Sequence, residues 1–127
     1  MADLTPLQGE LQTQIMATLW RIEAGTVEQV REALPPRYRG AYTTVQTVLN
    51  RLAERGLLRR AKQGHAFVYL PQITESDYVS TSIRRALDGA SREARTSALA
   101  ELIGSLDHGQ LDELQRLARK VETKKRR

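Results

Sequence analysis

The chain contains no cysteine, and that single absence removes several function classes. Disulfide scaffolds, iron–sulfur clusters and thiolate-ligated zinc all depend on it. Histidine is nearly as scarce, with only His65 and His108. His65 reads as an exposed hairpin residue. His108 lies between Asp107 and Asp112 with no second histidine near, and Asp107 reads better as a helix N-cap, so no metal is expected. There is no glycine-rich phosphate loop and no nucleophile–base pair at a recognisable spacing. An enzyme and a cofactor are therefore not expected. Only six aromatic side chains occur (Trp20, Tyr38, Tyr42, Phe67, Tyr69, Tyr78), so the core must be largely aliphatic. No apolar run approaches the roughly 20 residues that cross a bilayer. The N-terminal MADLTPLQGELQ lacks a basic segment followed by an apolar run, so no signal peptide is expected. These absences together predict a soluble, cytoplasmic protein.

The 127 residues allow one domain, or one small domain with an appendage. The net charge of +5 is modest, but it is unevenly placed. Residues 1–36 hold two arginines against five acids, a net −3. Residues 37–62 carry six arginines and Lys62 against Glu54 alone, a net +6. Residues 63–115 return to −4, and residues 116–127 rise again to +6. A concentrated basic segment is the footprint expected of phosphate binding.

Leu4, Leu7, Leu11, Ile15, Leu19 and Ile22 recur every three or four residues, which predicts an amphipathic helix from about Pro6 to Glu23. Thr5 suits its N-cap and Pro6 its first position. Gly9 inside it weakens the first turn by about 1 kcal/mol relative to alanine. Thr26 and Gln29 have the spacing of a capping box and open a second helix, which Pro35 and Pro36 stop. After a turn at PPRYRGAY, a third helix starts at Tyr42 or Thr43. Its apolar positions are Val45, Val48, Leu49 and Leu52, and Gly56 closes it. Leu57 to Ala61 and Ala66 to Leu70 read as short strands joined by Lys62-Gln63-Gly64-His65. Three further helices follow: Ile73 to Leu87, Arg92 to Ile103 after Ser91, and Leu106 to about Val121. Each is amphipathic and short, and alone they bury too little surface to fold. A helical dimerisation domain is the economical solution.

Helix, short helix, helix and β-hairpin is the order of a winged helix-turn-helix. The fold class expected is thus mainly α, a winged helix-turn-helix domain with a small β-hairpin wing and a three-helix dimerisation domain behind it. The divisions expected are residues 1–71, residues 72–122 and a basic tail at 123–127. On the third helix, Thr43, Thr44, Gln46, Thr47, Asn50 and Arg51 cannot all face the core. Glutamine and asparagine match the adenine edge, arginine matches guanine, and threonine suits a thymine methyl or a phosphate. Arg37, Arg39, Arg55, Arg59, Arg60 and Lys62 read as phosphate contacts that position without reading sequence. A polar helix face is often only solvated, and paired arginines in a hairpin are often plain surface. The agreement of polar face, basic hairpin and helix order favours double-stranded DNA as the partner. The alternative is a DNA-architectural protein without sequence preference. A third reading, a protein–protein adaptor, predicts no DNA binding at all.

The segments LQGELQTQIMATLW, TVEQVREAL and AYTTVQTVLNRLAERGLLRR with GHAFVYLP resemble the penicillinase-repressor (BlaI/MecI) family over about residues 4–122. The resemblance is most specific in AYTTVQTVLNRLAERGLL. It implies a homodimeric transcriptional repressor that binds palindromic operators. By that resemblance, DNA contacts fall on Thr43, Thr44, Gln46, Thr47 and Arg51. Dimer contacts fall on Ile83, Leu87, Leu99, Leu102, Ile103, Leu106, Leu111, Leu114 and Leu117. Well-known members are cleaved at an Asn–Phe bond in the C-terminal domain, whereas this chain reads SALAELIGSL there. A regulatory protease is therefore left open as a partner. The copper-responsive branch uses C-terminal cysteines, which this chain lacks.

Overall fold

A computed structural model describes residues 9–125. It runs α1 (Glu10–Ile22), α2 (Val27–Ala33), a 3₁₀ turn (Pro36–Tyr38) and α3 (Tyr42–Glu54). Strands β1 (Leu58–Gln63) and β2 (Ala66–Pro71) follow, then α4 (Glu75–Asp88), α5 (Arg92–Gly104) and α6 (His108–Lys125). The architecture is the mainly helical one expected, with one antiparallel hairpin. The chain divides into two compact units after Arg85, within α4.

In the first unit, α1 contributes Ile15, Met16 and Leu19 to the core, and α2 contributes Val27 and Val30, with Leu34 just beyond it. Val45, Val48, Leu49 and Leu52 of α3 meet them, and Leu57, Leu58 and Tyr69 close the cluster from the hairpin. This packing explains how α2, with only seven residues, is ordered. A helix that short is not stable alone, and each fully buried aliphatic side chain contributes about 1.5–3 kcal/mol. The capping box forms as the spacing predicts: the Gln29 N–H donates to Thr26 Oγ1 at 3.2 Å and the Thr26 N–H to Gln29 Oε1 at 2.9 Å. Trp20 Nε1 donates to Ile73 O at 3.0 Å, and its ring lies 5.7 Å from that of Tyr78. These contacts tie the first part of α4 to α1.

Several boundaries differ from the sequence reading. Helix α1 starts at Glu10, because Gly9 adopts φ 87° and stands outside it as the N-cap. The proposed cap Thr5 and first residue Pro6 lie outside the described residues. The hairpin ladder is longer than expected: Gln63 pairs with Ala66, so Lys62 and Gln63 are strand residues and only Gly64 and His65 turn. Gly64 takes φ 65° while His65 stays at negative φ, as a type II′ hairpin requires. Helix α6 continues to Lys125, four residues past the expected end. In that last stretch the Thr123 hydroxyl donates to Arg119 O at 3.0 Å.

A third backbone segment joins the hairpin. Gly25 and Tyr69 exchange two hydrogen bonds, of 3.1 and 2.8 Å, which anchors β2 to the loop between α1 and α2.

The second unit holds α5 and α6. The Ala94 N–H donates to Ser91 Oγ at 3.2 Å at the start of α5. Asp107 caps α6: its Oδ1 accepts from the Gln110 N–H at 2.8 Å, while Gln110 Oε1 accepts from the Asp107 N–H at 3.1 Å. Neither helix buries a single described residue. Leu99, Leu102, Ile103, Leu114, Leu117 and Val121 are 39–55% exposed.

Candidate nucleic-acid interface

Helix α3 is positioned from both sides of its length. Its apolar stripe is sunk into the core, and its C-terminus is closed by a Schellman motif. There Leu57 N–H donates to Leu52 O and Gly56 N–H to Ala53 O, both at 3.0 Å, with Gly56 at φ 79°. Leu57 is itself fully buried. The opposite face of α3 is left to solvent. Thr43, Thr44, Thr47 and Arg51 are exposed and Gln46 is half-buried. No described side chain caps the α3 N-terminus, where Ala41 is the N-cap. Backbone N–H groups there suit an anion. The Thr47 hydroxyl donates to Thr43 O at 2.9 Å. Tyr42, also exposed, stands at the head of the same helix and was not singled out by the sequence.

The hairpin presents two faces, because strand side chains alternate. Leu58, Arg60 and Lys62 share one with Phe67 and Tyr69, and Arg60 stands directly across from Tyr69. The base of this face, Leu58 and Tyr69, is buried. Its outer part is solvated: Arg60, Lys62 and Phe67 are exposed, as is Arg59 on the other face. The Arg60 guanidinium lies 4.6 Å from the Phe67 ring centroid, a cation–π contact that orients it. Phe67 is a residue the sequence reading passed over.

Asn50 sits between helix and hairpin. Its Oδ1 accepts from Tyr69 OH at 2.8 Å and from Arg60 Nη1 at 3.1 Å. The acceptor that a base contact requires is thus engaged within the chain.

The arginines in the basic segment fall into distinct groups. Arg39 donates Nε to Arg31 O at 3.2 Å and Nη2 to Glu32 O and Leu34 O at 2.9 and 3.1 Å. Arg21 from α1 reaches Ala33 O at 2.9 Å, and Arg31 holds Gly40 O at 2.7 Å. The carbonyls that end α2 are therefore satisfied by guanidinium groups. Arg39, expected as a phosphate contact, directs its guanidinium to three of these carbonyls while staying exposed. Arg37 remains largely solvated, 3.8 Å from Glu10 and 4.9 Å from the Tyr38 ring. The Tyr38 hydroxyl donates to Glu10 Oε2 at 2.9 Å, and that hydrogen bond chiefly raises its pKa above the ordinary tyrosine value.

His65 is exposed at the hairpin turn, and no group of metal-ligating side chains exists among the described residues. No described helix is long and apolar enough to cross a membrane.

The comparisons with known proteins agree with this geometry. The family model described as "Penicillinase repressor" matches residues 8–122. The transcriptional regulator BlaI of Mycobacterium tuberculosis is 39% identical over 110 residues, covering 83% of this chain and 79% of that protein. The penicillinase repressor of Bacillus licheniformis is 32% identical over 74 residues, 58% of each chain. Among solved structures, the DNA-binding domain of the repressor BlaI superposes with a TM-score of 0.52 at 32% identity. It covers 61% of this chain and 94% of its own. These relatives are regulators and repressors, not enzymes. With a winged-helix head, an exposed polar face on α3 and a family match over nearly its whole length, the chain belongs to the penicillinase repressor family.

Proposed function

We propose that this chain is a sequence-specific DNA-binding transcriptional repressor that acts as a homodimer in the cytoplasm. Helix α3 enters the major groove of a palindromic operator, and the β1–β2 wing lies on the phosphate backbone. Residues 1–71 form the DNA-binding part and residues 72–122 the dimerisation part. The carrying observation is the division of α3 into a buried aliphatic face and an outward face of Thr43, Gln46, Thr47 and Arg51, flanked by Arg59, Arg60 and Lys62. Gln46 and Arg51 read base edges, and the threonines serve methyl groups and phosphates. The dimer is supported by the apolar residues of α4, α5 and α6. Ile83, Leu99, Leu102, Ile103, Leu114 and Leu117 stay exposed in one chain, and Leu87, Leu106 and Leu111 are only half-buried. Large aliphatic side chains left exposed on one helix after another are the composition expected of an interface. Two copies double the base contacts, which a short helix alone cannot supply in number.

The test is selection of a duplex from a randomised pool, followed by binding to that duplex and to random DNA over a salt series. The expected product is an inverted repeat, bound about 10³-fold or more tighter than random DNA at physiological salt. Equal affinity for both, with one steep salt slope, would replace this reading with sequence-independent binding.

A further inference from the structure

We infer that Asn50 does not read a base, and that it is the positioning residue that fixes the wing to the recognition helix. The inference rests on the reading of α3 and the wing as the DNA-binding surface. Its basis is the convergence of two donors on one atom. Tyr69, only 2% exposed, aims its hydroxyl at Asn50 Oδ1 at 2.8 Å, and Arg60 Nη1 reaches the same oxygen at 3.1 Å. A buried hydroxyl needs a partner, and the structure gives Tyr69 this one. An asparagine that reads adenine must accept from the base with that same oxygen while it donates with its amide nitrogen. Asn50 could do so only by abandoning Tyr69 and Arg60 together. Losing a buried partner weakens an equilibrium about five- to 150-fold, which largely offsets what one base contact contributes.

The surroundings make the contact consequential. Between α3 and the base of the wing lies an open cleft of about 490 Å³, lined by Asn50, Ala53, Glu54, Leu58, Arg59 and Arg60. Four of these side chains are polar or charged, so hydrogen bonding joins α3 to the wing there beside the buried Leu58. The Asn50 oxygen spans the gap, and Phe67 holds the far side of Arg60 at 4.6 Å. The arginine is fixed between an amide and a ring. Helix and wing then meet DNA as one body, and the register of the wing on the backbone is set before binding.

The test compares Tyr69→Phe, Asn50→Ala, Arg60→Ala and the double variants, on the duplex the wild-type chain selects and on its single-base-pair variants. Tyr69→Phe removes only a hydroxyl that has almost no exposure and keeps the ring in the core. The expected result is that it weakens binding about two- to tenfold, evenly over all base-pair variants. Asn50→Ala should do the same, and its effect should shrink when Arg60 is already alanine or Tyr69 already phenylalanine, as for groups in one network. Loss of preference at a single base pair in Asn50→Ala, with Tyr69→Phe indistinguishable from wild type, overturns the inference. Amide hydrogen exchange of the free protein gives a readout that needs no DNA. In Asn50→Ala the backbone amides of residues 60–67 should exchange about three- to tenfold faster while those of α1 change less. Unchanged wing exchange overturns the inference even if the chain proves to select no duplex, a result that would itself count only against sequence-specific repression.

Discussion

Arg51 and Arg60 stand nine residues apart in sequence and carry the same charge, and the proposed function gives them different work. Arg51 projects from the exposed face of α3, where its fork can meet guanine O6 and N7. Arg60 is braced by Asn50 and Phe67, suited to one phosphate. Replacing Arg51 with alanine should cost about 1–3 kcal/mol on the selected duplex and relax specificity at one base pair. Arg60→Ala should instead weaken binding to all duplexes alike and lower the salt slope by about one. Titrations of both variants against a panel of base-pair substitutions check this. Equal loss of specificity in the two would remove the distinction between reader and clamp.

Among the elements, α2 shows most clearly what its local sequence encodes. Thr26 and Gln29 stand three apart before Val27 and Val30, and the structure makes both hydrogen bonds of that box. Thr26→Ala should destabilise the fold by about 1 kcal/mol, read as a lower urea midpoint with an unchanged slope. An unaltered midpoint would mean that the cap contributes nothing beyond the core packing of α2. Gly56 and the stripe from Val45 to Leu52 were equally legible, because they depend on neighbours in sequence. The hairpin register was not. Lys62 and Gln63 look like loop residues by composition, yet at the wing tip there is no core for an alternating pattern to face, so polar residues occupy a strand. Asn50 was legible as polar and outward but not as a junction. Its partner Tyr69 lies 19 residues away, and only the fold brings the hydroxyl to it. The carbonyl contacts of Arg39 were not legible for a related reason: the carbonyls at the end of α2 become orphans only once that helix has stopped at Leu34.

For the whole molecule, the proposed dimer depends on apolar side chains that stay partly or largely exposed among the described residues of one chain. Leu114 is 47% exposed on α6. Leu114→Asp should convert the dimer to monomer, because a carboxylate placed in an apolar seam lacks a partner. Sedimentation equilibrium decides it, and an intact dimer would move the interface elsewhere. Affinity for an inverted repeat should fall with the dimer, while affinity for a single half-site should hold. The guanidinium groups that end α2 carry a further consequence for the molecule as an electrostatic object. Exchange of every arginine for lysine would leave the net charge of +5, and the long-range pull on a polyanion, as they are. Lysine is a point charge and has no planar fork, so it cannot meet three carbonyls as Arg39 does. Attraction to DNA and the seating of the helix that steadies the reading head are therefore separable by chemistry alone, at constant charge.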